Sequence, residues 1–185
     1  MNKNSFRDKI FITFLIFQIW GVIFSFFAFA REEADVQPAV EIVNLHTCRD
    51  EKMKVEFLCY PDWELKTEND TLLMIISDQP YVTFTIAKSE SPVIFLKQLT
   101  NSVLQELGQY QDGFKTQVVL LAGEEAIQIM GVSKELLSSG FNDYYLIHDL
   151  QLYSFLFSVD PKERWKDYED LIYRIKESIK FSENN

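Results

Sequence analysis

The pattern of apolar and polar positions predicts a chain built mainly from β-strands. Runs rich in β-branched and aromatic side chains are separated by short polar or proline-containing segments, as expected for strands and their turns. Four strand pairs follow from this pattern: residues 39–47 with 53–60, 71–77 with 81–87, 115–121 with 126–132, and 144–148 with 152–159. Because residues 71–77 are more apolar than their partner, we expect them to lie nearer the centre of the sheet.

Two segments have apolar side chains at helical spacing instead. The first begins at Ser91, a favourable N-cap, and continues to about residue 110. The second opens with Asp160, Pro161 and Glu163, a combination that predicts a capped helix start. Its apolar stripe consists of Trp165, Tyr168, Ile172, Ile175 and Ile179. The expected fold class is therefore α+β, a mainly antiparallel β-sheet covered by two long helices.

The first 30 residues predict export. Lys3, Arg7 and Lys9 precede a long apolar run, and Ala28 and Ala30 are the small residues that a signal peptidase reads, so residues 1–30 are interpreted as a signal peptide. The run of about 20 apolar residues is also long enough to cross a bilayer, and an uncleaved membrane anchor is the alternative.

Either N-terminal interpretation places the rest of the chain outside the cytoplasm. Residues 31–40 are polar and acidic and predict a linker, and residues 41–185 predict one domain. The expected location is periplasmic or extracellular, with anchoring in the inner membrane if the leader is retained. Membrane contact is expected only through that uncleaved helix.

The negative net charge of the chain limits the partners that we expect it to bind. The chain has a formal net charge of −10 at pH 7, and loss of the basic leader makes the remainder more negative. An acidic surface repels phosphate backbones and anionic lipid headgroups, so nucleic acid is excluded as a partner. Cations and basic protein surfaces remain as expected partners.

Catalytic motifs are missing from the sequence. No phosphate-binding glycine loop, serine-hydrolase elbow or zinc-protease motif is present, so we predict no catalytic residues and no cofactor. His148 and Asp149, adjacent at a strand turn, are the candidates for cation binding, although a surface histidine is the simpler interpretation. His46 with Cys48 and Cys59 would need a fourth ligand to form a usual zinc site, and ordinary packing is expected there.

The two cysteines leave two alternatives open. Cys48 and Cys59 are expected to pair because exported proteins often contain disulfides. If residues 49–52 form a tight turn, however, Cys59 lies about six residues along the partner strand, some 20 Å away. A disulfide tolerates a Cα separation of only about 7 Å. Either the bridge forms or the hairpin does.

Several motifs resemble the PsbP family, which includes an extrinsic protein of the photosystem II oxygen-evolving complex. The similar segments are Tyr60-Pro61-Asp62-Trp63, Leu121-Ala122-Gly123-Glu124-Glu125-Ala126, Leu152-Tyr153-Ser154-Phe155, and Tyr168 with Ser178-Ile179-Lys180-Phe181. The family fold is an antiparallel sheet between helices, an α/β/α sandwich shared with a eukaryotic import factor that binds the small GTPase Ran. The resemblance implies a bacterial, non-photosynthetic relative.

Two functional hypotheses remain. The first, implied by the resemblance, is an exported, non-catalytic binding or assembly module with a protein partner or membrane complex. Its partner-contacting edge is predicted at residues 134–143, beside Tyr144. The alternative is a metal-dependent or hydrolytic periplasmic enzyme whose site is assembled from His148, Asp149 and Asp143.

Overall fold

The computed structural model describes residues 44–90, 98–99, 114–132 and 139–182. The predicted leader at residues 1–30 and linker at residues 31–40 lie outside the described residues and stay predictions. Of the first predicted helix, only Gln98 and Leu99 are described, and both are helical. In the described part of the chain, no helix is both long enough and apolar enough to cross a membrane.

Ten β-strands in the described residues form two antiparallel sheets. Seven strands form the large sheet in the order β3-β4-β5-β9-β8-β7-β6, and three form the small sheet in the order β1-β2-β10. Their bounds are β1 His46–Asp50, β2 Val55–Cys59, β3 Glu64–Glu68, β4 Thr71–Asp78, β5 Tyr81–Glu90, β6 Lys115–Leu121, β7 Glu124–Val132, β8 Gly140–His148, β9 Gln151–Asp160 and β10 Lys180–Phe181. The predicted hairpins β4–β5, β6–β7 and β8–β9 are confirmed.

The prediction of an α/β/α sandwich with two long helices covering one sheet is wrong. The described residues are mostly strand and contain one complete α-helix, α1 (Trp165–Ser178). The small sheet lies beside α1 on the same face of the large sheet, where both pack into one hydrophobic cluster. Part of the covering layer is therefore a sheet, built from β1, β2 and the short β10. The sequence pattern did not predict β3 or β10.

The apolar stripe of α1 has the predicted position. Tyr168, Ile172 and Ile175 are buried in the cluster under the helix, and Ile179 is buried just beyond its end. Leu171 is buried as well, although the predicted stripe omitted it. At about 1.5–3 kcal/mol for each large apolar side chain removed from water, these residues are the main attachment of α1 to the sheet.

The predicted capping arrangement at the start of α1 is wrong. Asp160 is the last residue of β9, where it pairs with Tyr81 of β5, so the strand continues through the predicted cap. A 3-10 turn, Lys162–Arg164, follows it and makes no side-chain capping hydrogen bond. The backbone N–H of Arg164 instead donates to the Pro161 carbonyl at 3.0 Å.

The central strand of the large sheet is β9. The prediction that residues 71–77 lie nearer the centre than their partner strand is wrong, because β5 lies between β4 and β9. β9 lies between β5 and β8, and its eight inner residues are buried. Phe84 of β5 stacks on Phe157 of β9 with ring centroids 4.4 Å apart, and Phe57 of β2 meets the Phe84 ring edge-on at 5.4 Å. This aromatic group joins the two sheets across the core.

The two faces of β8 belong to different clusters. Tyr144 and Leu146 pack in the cluster beneath α1, whereas Phe141 and Tyr145 pack in a second cluster on the opposite face. Successive side chains of a strand point to opposite faces, so Asp143 belongs to the second face.

The hairpin β1–β2 and the disulfide coexist, so the two alternatives considered from the sequence were not exclusive. The turn occupies residues 51–54 rather than 49–52. Cys48 therefore pairs with Phe57, and Cys59 lies only two residues further along β2. The Cα atoms of Cys48 and Cys59 are 5.8 Å apart and the two sulfurs are bonded, within the separation a disulfide requires.

Candidate functional site

A half-open cleft lies between α1 and the adjoining ends of β7 and β8. Its volume is about 540 Å³, within the range of natural ligand pockets. We call it the α1 cleft. Its principal lining residues are Gln128, Asn142 and Tyr144 from the sheet, and Lys162, Trp165 and Tyr173 from the helical side.

The sheet side of the α1 cleft has a buried hydrogen-bond network. The amide nitrogen of Gln128 donates to Asn142 Oδ1 at 2.9 Å and to the Tyr144 hydroxyl at 3.1 Å. Asn142 Nδ2 donates to the same hydroxyl at 2.9 Å. Gln117 Nε2 in turn donates to Gln128 Oε1 at 2.5 Å. The network holds three polar side chains in fixed orientations along the cleft wall.

This network is electrically neutral over the physiological pH range. Burial raises the pKa of Tyr144 to about 12, and the hydrogen bond from Asn142 opposes part of that rise. Neither amide titrates. The wall can therefore offer uncharged hydrogen-bonding groups to a ligand near pH 7.

The helical side of the cleft combines aromatic surface with charge. Trp165 is half-buried and Tyr173 is exposed. Lys176 lies with its ammonium 5.2 Å from the Tyr173 ring centroid and also contacts Glu177. Lys162 and Glu169 complete the charged rim. Aromatic rings with amphipathic groups around them are frequent in protein-binding surfaces.

Gly140 allows this side of α1 to approach the sheet. A Cβ atom placed on Gly140 would lie 3.3 Å from Trp165 Cε3 and 3.4 Å from Lys162 Cβ. A side chain at this position would require these neighbours to shift by a few tenths of an ångström. The glycine that opens β8 thus helps to set the width of the cleft.

The predicted partner-contacting edge at residues 134–143 falls only partly in the described chain. Residues 140–143 belong to β8 rather than to a loop, and residues 133–138 lie outside the described residues. Val132 and Gly140, which flank that segment, both line the α1 cleft. The described end of the predicted edge therefore borders the cleft.

His148 lies where the two sheets meet. Its ring stacks on Phe181 of β10 at a centroid distance of 3.7 Å, and its Nδ1 lies 2.5 Å from Glu124 Oε1. Asp149, the sequence-predicted neighbour, is 3.7 Å from His148 Nε2. The closest partner is thus Glu124, the first residue of β7. Asp143 lies on the opposite face of β8, so these residues do not form the site of the alternative enzyme hypothesis.

The buried carboxyl group of Asp143 belongs to a second polar cluster. Ser154 Oγ donates to Asp143 Oδ1 at 2.8 Å, and Tyr145 provides a further hydrogen bond. Burial raises the pKa of Asp143 to about 6, although these hydrogen bonds oppose the rise. With only 5% of the residue exposed, the carboxyl group is closed to substrates.

His46, Cys48 and Cys59 form a third group, at the open end of the β1–β2 hairpin. Their potential ligand atoms all lie within 4.8 Å of one another. Among the described residues, no other set of three or more histidine, cysteine or acidic side chains has a metal-binding arrangement.

Sequence reasoning missed Gln128 and Asn142. The available signal was their position, since Gln128 interrupts an apolar stretch of β7 and Asn142 lies on the same face of β8 as Tyr144 and Leu146. The large majority of buried polar side chains in folded proteins have a hydrogen-bond partner. Those partners come from neighbouring strands and could not be identified before the sheet order was known.

Comparison with known proteins gives a fold but no closer assignment. No family model matches the chain, and no curated protein matches its sequence. Among solved structures, PsbP from the cyanobacterium Synechocystis aligns with a TM-score of 0.53 and 14% identity, over 80% of this chain and 98% of that one. The chain has a PsbP-like fold.

Two further structures share this fold. LpqN of Mycobacterium tuberculosis aligns with a TM-score of 0.50 and 12% identity, over 77% of this chain and 93% of that one. The protein Mog1 aligns with the same TM-score and identity, over 77% of this chain and 98% of that one. The predicted resemblance to PsbP is confirmed as a likeness of fold, which at these identities carries no function with it.

Proposed function

We propose that this chain is an exported, non-catalytic binding module that holds a segment of a protein partner in the α1 cleft. The observation that carries the proposal is the fixed row of Gln128, Asn142 and Tyr144 along a half-open cleft with an aromatic rim. Side-chain amides and a phenol can donate to and accept from a peptide backbone, and the rim supplies apolar contact.

The chemistry of the described residues favours binding over catalysis. Asp143 is closed off from solvent, and His148 is held between Glu124 and Phe181. Asp143, one of the three residues of the enzyme hypothesis, lies on the face of the sheet opposite to His148. The sheet wall of the cleft consists of neutral amides and a phenol of high pKa, and the charged groups Lys162, Glu169 and Lys176 come from the helical side.

The surroundings of the module follow from three consistent features. The leader predicts export, the acidic surface disfavours nucleic acid, and LpqN, which shares the fold, is described as involved in cell envelope biogenesis. We place the module on the outer side of the cytoplasmic membrane, free or anchored by its leader. Its partner is a protein or membrane complex of that compartment.

Site-specific photo-crosslinking tests the proposal in the native envelope. A photoreactive residue replaces Tyr173, which is 60% exposed on the cleft rim. The control position is Leu150, which is 70% exposed at the β8–β9 turn and is not a cleft residue. We expect one adduct of defined mass from position 173 and none from position 150.

A charge reversal then links the adduct to the cleft. Glu169→Lys changes the rim without removing a core contact, since Glu169 lines the cleft and is exposed. Because the added lysine repels a basic partner surface, we expect the position 173 adduct to fall by about tenfold, the equivalent of 1.4 kcal/mol. Equal adducts from both positions, or an adduct insensitive to Glu169→Lys, would contradict cleft binding.

A further inference from the structure

The open end of the β1–β2 hairpin brings three potential metal-binding side chains onto one face. His46 pairs directly with Cys59 across the two strands, and Cys48 lies two residues after His46 on β1. Residues two apart in a strand share a face, and so do directly paired residues. The register of the hairpin thus places the imidazole over the disulfide.

The distances suit a shared cation. His46 Nε2 lies 3.4 Å from Cys59 Sγ and 3.6 Å from Cys48 Sγ. Metal–nitrogen bonds of about 2.0 Å and metal–sulfur bonds of about 2.3 Å, at angles near 120°, require a nitrogen–sulfur separation of about 3.7 Å. The imidazole is already near this separation from both sulfurs, and only the sulfurs must move apart.

We propose that reduction of the Cys48–Cys59 disulfide converts this hairpin end into a site for one thiophilic cation, Cu⁺ or Zn²⁺. A dithiol reductant transfers two electrons to the disulfide, becoming a disulfide itself and leaving two protein thiols. The cation then displaces one proton from each thiol and binds both sulfurs and neutral His46 Nε2. Soft thiolate ligands select these cations over hard ones.

Solvent exposure decreases from His46 through Cys48 to Cys59. His46 is exposed, Cys48 is half-buried and Cys59 is fully buried. A cation can therefore enter from the histidine side without opening the core. No fourth histidine, cysteine or acidic side chain joins the group among the described residues. Such a three-ligand set completes Cu⁺ coordination or leaves one zinc position for water or a partner side chain.

While the disulfide is intact, the sulfur atoms are bonded to each other and provide no thiolate ligands. The site is thus gated by the redox state of the hairpin. This inference is independent of the proposed function, because the β1–β2 hairpin lies apart from the residues that line the α1 cleft.

Metal titration of the full exported chain tests the site. The oxidised protein and the dithiol-reduced protein, freed of reductant without air, compete with a chromophoric chelator for Zn²⁺ and, separately, for Cu⁺. We expect one equivalent to bind the reduced chain at least 100-fold more tightly than the oxidised chain for at least one of the two cations. Intense sulfur-to-metal absorption with Co²⁺ would report the two thiolate ligands.

Two histidine variants provide the matched comparison. His46→Ala retains both cysteines, so its fold can be verified in the oxidised state, and we expect at least tenfold weaker binding after reduction. His148→Ala removes the other histidine of the chain and is expected to bind as tightly as the wild type. Equal affinity of His46→Ala and wild type would overturn the proposal, since thiols of an unfolded or rearranged hairpin would then suffice. Equal affinity of the oxidised and reduced chains for both cations would overturn it as well.

Discussion

The two faces of β8 differ in the charge and the solvent access of their buried polar side chains. On the α1 side, Asn142 and Tyr144 join Gln128 in a neutral network that borders the α1 cleft. On the other side, Asp143 is held by Ser154 and closed from solvent. One strand thus carries an open, uncharged cluster and a sealed, ionisable one at adjacent positions.

The two faces differ in whether a buried group ionises near neutral pH. The neutral network contains no group that ionises between pH 4 and 9, so its hydrogen bonds do not change over that range. The Asp143 carboxyl group must lose solvent whenever it is charged, and its pKa is raised to about 6 for that reason. The first face is suited to ligand contact and the second makes stability depend on pH.

The largest expected effect is that of Asp143→Asn. The folded state binds the Asp143 proton more tightly than the unfolded chain, because the pKa rises from 3.8 to about 6. The stability contribution of this group is therefore complete below pH 3.8 and lost as pH rises through about 6. Asparagine cannot ionise, so the variant should be more stable than wild type above pH 6, by up to about 3 kcal/mol.

Urea unfolding between pH 4 and 8 measures this difference. The gain should shrink to near zero at pH 4, where the wild-type carboxyl group is protonated. A gain of the same size at every pH would show that Asp143 does not ionise in the folded protein, and the contrast between the two faces would fail.

Tyr144→Phe should have the next largest effect, in the opposite direction. The Asn142 amide loses its acceptor at 2.9 Å, and Gln128 loses one of its two. An unsatisfied buried donor costs about 1–3 kcal/mol, so we expect a loss of about 2 kcal/mol. Because the network is neutral, the loss should be constant from pH 4 to 8, and urea unfolding at both extremes checks it. A pH-dependent loss would contradict the neutral assignment.

Ser154→Ala sharpens the comparison from the Asp143 side. Its hydroxyl donates to Asp143 at 2.8 Å, and such a bond is stronger to a charged acceptor than to a neutral one. We expect a loss of about 2 kcal/mol at pH 8 and about 1 kcal/mol at pH 4. The same unfolding series measures both values, and a larger loss at pH 4 than at pH 8 would reverse the assigned role of Ser154.

The smallest effect is expected from Leu150→Gly, which touches neither face. Leu150 occupies the β8–β9 turn with φ of 61° and is 70% exposed. Glycine adopts this left-handed conformation without steric cost, whereas the added freedom of the unfolded chain opposes the gain. We expect a gain of at most about 1 kcal/mol, independent of pH, by urea unfolding. A loss above that size would show that the leucine side chain contributes packing at the turn.

The strand pattern and the helix stripe were determined locally. Residues 71–77 and 81–87 are rich in β-branched, aromatic and other apolar side chains and flank a proline-containing turn, and Tyr168, Ile172 and Ile175 recur at helical spacing. Each signal depends on neighbours within one element, so the hairpins and the buried face of α1 could be predicted. Export and acidity were also properties of the sequence alone, as expectations about location and partner.

The arrangement of the covering layer and of the polar sites depends on contacts between elements that are distant in sequence. β10 has two residues, Lys180 and Phe181, and becomes a strand only because β2 is beside it. The disulfide forms because the turn lies at residues 51–54. The sequence pattern placed the turn two residues earlier, and that error made the disulfide and the hairpin look incompatible. Gln128, Asn142 and Tyr144 meet because β7 and β8 are paired, and a hydrogen-bond partner on another strand has no mark in the local sequence. Sequence alone therefore determined the longer hairpins and the buried stripe of α1, whereas contacts between elements determined β10, the cleft, the buried Asp143 carboxyl group and the histidine–cysteine group.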